Sequence, residues 1–239
     1  MNVNFFVTCL CDTIKADVAK QSVLLLEKLG CQIHFPSEQS CCGMPSINSG
    51  YIKDSLPAMK SMIRAFEGND DPIIVPAGSC SAMLKNYPDY LTDEPSWHQR
   101  AVQVAQRVQE MTSFIVDTLG VVDVGAKLQG RAVYHPSCSL LRKMNVVNQP
   151  LQLLEHVEGL TLEPIANQQT CCGFGGTFSV KMPEISAAMV SEKVQHIEQV
   201  QPDYLIGADI SCLINIGGRL HRQGNPLKVM HIAQVLMSH

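Results

Sequence analysis

Cysteine occurs in this chain in one pattern used twice, and that pattern constrains the fold more than any other feature. Cys9 is followed after 31 residues by Cys41-Cys42-Gly43, and Cys42 after 37 residues by Cys80. Cys138 is followed after 32 residues by Cys171-Cys172-Gly173, and Cys172 after 39 residues by Cys212. The flanks correspond as well. Gln39-Ser40 precedes the first pair and Gln169-Thr170 the second, while Asp71–Val75 ahead of Cys80 is echoed by Pro202–Ile206 ahead of Cys212. Matched quartets in matched windows mark an internal duplication. We read halves at 1–120 and 131–239, joined by a short link at 121–130 between Gly120 and Gly130.

Each half alternates strand and helix signals. Val3–Thr8, Gln32–Phe35 and Ile73–Val75 are short apolar or β-branched runs and read as strands. Asp12 is a candidate N-cap for a helix carrying Ile14, Val18, Leu25 and Leu29 on its apolar face, with Gly30 closing it. Tyr51–Phe66 is helical in pattern, and Ser96–Leu119 reads as the longest helix, its apolar stripe running Ala101, Val104, Val108, Met111, Ile115, Leu119. Such a stripe is usually core, although a partner-docking face has the same pattern. The second half repeats the order: strand Arg131–Tyr134, helix Leu151–Val157, strand Leu160–Ile165, helix Pro183–Val200, strand Tyr204–Ile206, then Leu227–Met230 and His231–Met237. The expected fold is α/β: two pseudo-symmetric repeats, each a small parallel sheet flanked by helices. Every cysteine of the pattern then follows the carboxyl end of a strand, where open α/β sheets bind ligands.

Compartment and composition narrow the chemistry. The N-terminal Met1–Val7 has neither a basic region nor a long apolar stretch, so no signal peptide is expected. Apolar runs such as Phe5–Val7 and Val23–Leu26 fall far short of the roughly 20 residues of a membrane span. The expectation is a cytoplasmic chain with no integral membrane segment, peripheral association being left open. The net charge of −4 offers no basic surplus for a phosphate backbone, which argues against nucleic acid as a partner. In a reducing compartment ten cysteines point to metal or redox use rather than to structural disulfides. Four converging thiolates suit zinc or an iron–sulfur cluster. Vicinal Cys-Cys-Gly, unlike the Cys-x₂₋₄-Cys knuckle of structural zinc sites, suits an object with several metal corners. Gly43 and Gly173 would let backbone amides approach sulfur, and Gly173-Phe174-Gly175-Gly176 is such a loop rather than a nucleotide fingerprint, because it lacks the third glycine of G-x-G-x-x-G.

The spacing Cys-x₃₁-Cys-Cys-Gly-x₃₆-Cys and its second copy resemble the cysteine-rich (CCG) domain. That domain is found twice in a subunit of the heterodisulfide reductases and in the iron–sulfur subunits of glycolate and anaerobic glycerol-3-phosphate dehydrogenases. The phrases Tyr134-His135-Pro136-Ser137-Cys138 and Cys171-Cys172-Gly173-Phe174-Gly175-Gly176-Thr177-Phe178-Ser179 look most like the lactate-utilization protein A family, and the resemblance spans nearly the whole chain. It implies an iron–sulfur electron-transfer component of a multi-subunit system oxidising L-lactate, a 2-hydroxy acid, to pyruvate. The implied partners are a ferredoxin-like iron–sulfur subunit and a third small subunit. The family motif closes each copy with Cys-x-x-Cys, whereas this chain has Cys80-Ser81-Ala82-Met83 and Cys212-Leu213-Ile214-Asn215. The fifth thiol is absent from both halves. The quartets Cys9, Cys41, Cys42, Cys80 and Cys138, Cys171, Cys172, Cys212 remain as cofactor and metal ligands, enough for one or two [4Fe–4S] clusters or for zinc.

Other readings stand beside this one. A quartet that binds zinc would make the chain a structural or scaffold subunit; a metal-free chain acting through Cys42 or Cys172 would be a thiol–disulfide oxidoreductase. Cys11 and Cys31 have no counterparts in the second half and read as packing residues, with Cys11 close enough to Cys9 to stand in as a ligand. His135, three residues before Cys138, reads as a loop residue whose ring hydrogen-bonds near the site; a Cys–His nucleophile or a mixed ligand set are the alternatives. His34, His98, His156, His196, His221, His231 and His239 follow no ligand spacing. No Ser/His/Asp order, paired-carboxylate motif, P-loop or flavin motif stands out, so the expected role is an oxidoreductase subunit that is not catalytic alone.

Overall fold

The computed structural model describes residues 1–239. The first half runs β1 (Asn2–Phe5), α1 (Cys9–Thr13), α2 (Ala16–Lys28), β2 (Gln32–His34), α3 (Met44–Asn48), α4 (Ile52–Phe66), β3 (Ile73–Val75), α5 (Gly78–Lys85), α6 (Tyr87–Tyr90), α7 (Pro95–Arg107), β4 (Val108–Glu110) and α8 (Met111–Ser113). The second half runs β5 (Lys127–His135), α9 (Gln149–Glu155), β6 (Glu158–Glu163), α10 (Phe178–Lys181), α11 (Pro183–Val200), β7 (Tyr204–Gly207), α12 (Ile210–Arg222), β8 (Lys228–His231) and α13 (Ile232–Leu236). Single π-helical turns occupy Phe114–Thr118 and Leu140–Met144. All strand pairs are parallel, and the two sheets have equivalent orders, β2-β1-β3-β4 and β6-β5-β7-β8. The expected α/β architecture of two parallel-sheet repeats is the observed one.

Two local expectations are corrected. Ser96–Leu119 is not one helix: α7 ends at Arg107, and Val108–Glu110 turns into a strand whose Val108 lies opposite Ile73 and Glu110 opposite Val75. Val104, Val108, Met111 and Ile115 are all fully buried, so they keep a helical rhythm on paper while belonging to different elements. Glu110 ends the strand and starts α8, its carboxylate accepting from the Thr112 and Ser113 amides at 2.8 and 3.2 Å. Asp12 is not an N-cap either; it lies inside α1, and α2 begins after Lys15. Gly30 does follow α2 in the left-handed region.

The halves share a core. Val3, Leu25 and Phe114 pack in one apolar cluster with Ala132, Leu153 and Ile232. Across the interface, side-chain volume is exchanged between equivalent positions. Leu140 is buried against Gly78 of α5, where an added Cβ would come within 2.4 Å of its Cγ. At the counterpart pair the sizes are reversed: Cys11 takes the place of Leu140, and Ile210 that of Gly78, and both lie in one buried cluster. Cys11 is thus a small buried packing residue, which accounts for a cysteine that has no thiol counterpart. Cys31 is likewise buried in the shared core.

Candidate metal centre

Each quartet is assembled by the ends of three adjacent strands. In the first half, Thr8 follows β1 with φ 65°, a conformation a β-branched residue rarely adopts, and sets Cys9 at the start of α1. Cys41 and Cys42 lie in the loop after β2, and Cys80 in the first turn of α5 after β3. Cys9 Sγ lies 3.8 Å from Cys41 Sγ, and Cys42 Sγ 3.6 Å from Cys80 Sγ. The loop is pinned: the Gln39 amide accepts from the Val7 N–H at 2.9 Å and donates to the Phe5 carbonyl at 3.2 Å. The buried Tyr87 hydroxyl donates to the Cys42 carbonyl at 2.9 Å.

The second half repeats this with other side chains. Cys138 follows β5, Cys171 and Cys172 lie in the loop after β6, and Cys212 sits in the first turn of α12. The Cys138 thiol acts on Cys171, and the Cys172 thiol and the His135 ring on Cys212. Asn215 donates to the Cys172 carbonyl at 2.7 Å, the task of Tyr87 in the first half. Asn215 occupies the place of the absent fifth thiol, and Met83, its counterpart, is buried in the apolar cluster with Cys42 and Cys80. Buried Lys193 fixes the loop from below, donating to the Asn167 and Gln168 carbonyls at 3.0 and 2.9 Å. The Gly173 amide donates to Cys171 Sγ at 3.4 Å, and its φ of 82° and a backbone oxygen 2.9 Å from a would-be Cβ leave no room for another residue.

The two quartets do not open on separate crests. All eight thiols line a single cavity of about 390 Å³ between the repeats. Its walls are stitched across the interface: Asn48 donates to the Gly175 carbonyl at 3.3 Å, and the Ser49 and Thr177 hydroxyls bond each other. Behind it lies Asp209, only 1% exposed, which the cysteine spacing did not point to. One of its carboxylate oxygens accepts from the Ser211 amide of its own helix at 3.1 Å, the other from the Ser79 amide of α5 at 2.8 Å. One carboxylate thus caps both helices that carry Cys80 and Cys212, while the cap position of α5 itself is Ala77. The signal in the sequence was Asp209-x-Ser211 ahead of an apolar run, a helix-start pattern.

The thiols are electrostatically uneven. Cys41 is held far below the ordinary thiol range because Cys42 and Cys9 donate to it, and Cys171 likewise because Cys138 and Cys172 do. The donors Cys9, Cys42, Cys138 and Cys172 are pushed up by these bonds and by burial. Cys212 is lowered to about 6, mainly by the bond from Cys172, with His135 contributing. In each quartet one thiol is thus biased toward the thiolate, the form that binds metal. Cys11, pushed up to about 11 by burial, does not line the cavity. A nucleophilic role for Cys42 or Cys172 is disfavoured, since both are buried with thiols shifted the wrong way.

His135 is not the loop residue expected. It ends β5, is 1% exposed, and neither ring nitrogen has a hydrogen-bond partner. One ring nitrogen, Cys172 Sγ and Cys212 Sγ lie within 4.8 Å of one another, a Cys/His cluster positioned to bind a metal. Soft thiolates with an imidazole are the donor set of zinc and iron sites, so the residues present fit the implied group. Of the other histidines, His34 bonds Asn4 at 2.7 Å and His98 the Pro88 carbonyl at 3.0 Å. His231 caps α13.

The model of the CCG cysteine-rich domain matches residues 3–85 and 132–217. The uncharacterized protein YkgE of Escherichia coli (strain K12) is 66% identical over 238 residues, covering 100% of both chains. Lactate utilization protein A of Anoxybacillus flavithermus is 56% identical, covering 99% of both chains, and that of Geobacillus thermodenitrificans is 56% identical, covering 99% of this chain and 98% of the relative. A crystal structure of a hypothetical protein from Helicobacter pylori superposes with a TM-score of 0.68 at 10% identity, over 99% of this chain and 48% of that longer one, a likeness of fold alone. No helix is long and apolar enough to cross a membrane. With two cysteine-rich domain matches and relatives above half identity along its whole length, the chain belongs to the CCG domain family and, within it, to the lactate utilization protein A family.

Proposed function

We propose that the chain is the iron–sulfur electron-transfer component of a multi-subunit system that oxidises L-lactate, a 2-hydroxy acid, to pyruvate. Cys9, Cys41, Cys42 and Cys80 hold one centre, and Cys138, Cys171, Cys172 and Cys212 the other. The observation that carries this reading is the gathering of both foursomes around one cavity of about 390 Å³. The names of the lactate utilization protein A relatives supply the substrate. A bound [4Fe–4S] cluster supplies one-electron redox chemistry. The chain's own part is to hold the sulfurs in place. Tyr87 and Asn215 fix the vicinal pairs, Asp209 fixes the two helix starts, and the Gly173 amide donates to a ligand sulfur. We assign the repeats to 1–120 and 131–239 with 121–130 between them, the partners to a ferredoxin-like iron–sulfur subunit and a third small subunit, and the setting to the cytoplasm. The ten free thiols agree with a reducing compartment.

A zinc-binding scaffold is the second reading, favoured by the buried group His135, Cys172 and Cys212, whose nitrogen and sulfur donors also suit zinc. Anaerobic purification with iron, sulfide and zinc analysis separates the two. Brown protein with iron and acid-labile sulfide, and a reduced-state paramagnetic signal diminished separately by Cys41→Ser and Cys171→Ser, is the expected result. Colourless protein with stoichiometric zinc and no iron overturns it.

A further inference from the structure

We propose that the two sulfur sites are chemically inequivalent, the second having a ring nitrogen of His135 as a metal ligand beside Cys172 and Cys212. The inference rests on the metal-binding part of the proposed function and on neither iron nor lactate. Its starting point is a cost. An imidazole 1% exposed, with neither nitrogen in a well-formed hydrogen bond and only the Cys212 thiol acting on it, is a costly group to bury. Such a group is retained where something absent from the protein chain satisfies it. The ring nitrogen shares a space within 4.8 Å with Cys172 Sγ and Cys212 Sγ. A metal bound at roughly 2.0–2.3 Å from nitrogen and sulfur donors places those donors within that spacing of one another.

The first half shows what the position does without this task. Counting back three residues from Cys9, as His135 stands before Cys138, gives Phe6. Phe6 is equally buried, packs edge-on against Phe66 at 5.9 Å, and shares an apolar cluster with Cys42 and Cys80. The first site therefore has four thiols and a hydrocarbon wall, and the second has four thiols and an imidazole. If burial alone mattered here, an aromatic hydrocarbon would serve in both halves without orphaned nitrogens.

The test uses the full chain, metal-loaded anaerobically, with histidine labelled in ¹⁵N. Pulsed paramagnetic resonance of the reduced protein reads directly bonded nitrogen. The expected result is a strong, isotope-sensitive nitrogen coupling in the unsubstituted protein. It should persist when Cys41→Ser/Cys42→Ser confines metal to the second site, and vanish in His135→Phe, which copies the first-half residue. The same variant should release second-site metal to a chelator at least tenfold faster, leaving first-site release unchanged. If the loaded metal is zinc, X-ray absorption should show a nitrogen beside sulfur in its shell. The unsubstituted labelled protein decides the matter even if His135→Phe does not fold. A sulfur-only shell at both sites, or only the weak coupling of a hydrogen bond to sulfur, overturns the assignment. Iron loading with that outcome leaves the proposed function standing, whereas zinc with a nitrogen ligand removes the iron–sulfur reading and keeps His135.

Discussion

The two repeats have the same strand order, the same four thiols and the same glutamine bond to the first strand's carbonyl (Gln39 to Phe5, Gln168 to Tyr134), yet the other polar groups that support those thiols differ. The carbonyl of the second vicinal cysteine is held by Tyr87 in one half and by Asn215 in the other. The helix starts below Cys80 and Cys212 are capped by one residue, Asp209, whose counterpart is Ala77. The fourth strand ends in Glu110 in the first half and in His231 in the second, each capping the short helix that follows. The difference teaches which features are bound to the site and which are free. Sulfur positions are fixed by what they surround. Supporting bonds need only be satisfied, and any side chain of the right reach will do it.

Asp209 offers the largest expected break in that comparison, because here the two halves depend on one group. Asp209→Ala removes the acceptor for the Ser79 and Ser211 amides together, leaving half-buried donors at two helix starts that also lose a favourable charge at their positive ends. A single lost cap costs about 1 kcal/mol and a buried unsatisfied donor about 1–3. We expect a loss of about 4 kcal/mol in urea unfolding, with Asp209→Asn losing clearly less. A cost no greater than that of an ordinary single cap would show that α5 does not depend on the second repeat.

Glu110 and His231 sharpen the comparison through pH. Burial raises the Glu110 carboxyl from its ordinary value near 4.5 to about 7, with the Asp209 charge adding to it, and lowers the His231 imidazole from 6.5 to about 4. Both are fully buried. For Glu110 the folded state keeps its proton longer than the unfolded chain, so stability falls as pH rises from 4.5 to 7. For His231 the unfolded chain takes up a proton first, so stability falls as pH drops from 6.5 to 4. Each displacement corresponds to about 3 kcal/mol. The two slopes oppose and largely cancel between pH 4.5 and 6.5. Glu110→Gln should therefore expose the acid-side loss, and His231→Asn, which keeps a capping acceptor, the loss toward neutral pH. Parallel stability curves for both variants would remove the account.

How much of this was legible depends on how far apart the causes lie in the chain. The strand signals at Val3–Thr8 and Ile73–Val75 and the doubled Cys-Cys-Gly were local, and they placed the fold and the thiols. Val108–Glu110 was hidden because a buried strand joined without a loop to a helix continues the helix's apolar spacing. The single cavity was out of reach because the repeats meet through contacts such as Leu140 over Gly78, residues distant in sequence whose sizes make sense only as pairs. His135 was visible as a residue but not as an orphan, since the absence of a hydrogen-bond partner is a property of its surroundings.

The smallest expected effect separates support from ligation. Tyr87→Phe removes one hydroxyl from the Cys42 carbonyl and leaves the ring, which is fully buried in the apolar cluster behind the first site. Asn215→Ala removes the amide from the Cys172 carbonyl. A buried hydrogen bond of this kind contributes about 1 kcal/mol, and an acceptor left without its donor somewhat more. Each variant should lose about 1–2 kcal/mol in denaturant unfolding while retaining the metal content of the unsubstituted protein, because the carbonyl it frees is not a ligand. The comparison is sharpened by Asn215→Cys, which trades that bond for a sulfur three residues from Cys212 on the same helix face. A further thiol there should leave the metal stoichiometry of the first site untouched, since Met83 keeps its place among hydrocarbons beside Cys42 and Cys80. Metal loss from either site in Tyr87→Phe or Asn215→Ala would mean that the carbonyls, and not only the sulfurs, are fixed by what the cavity holds.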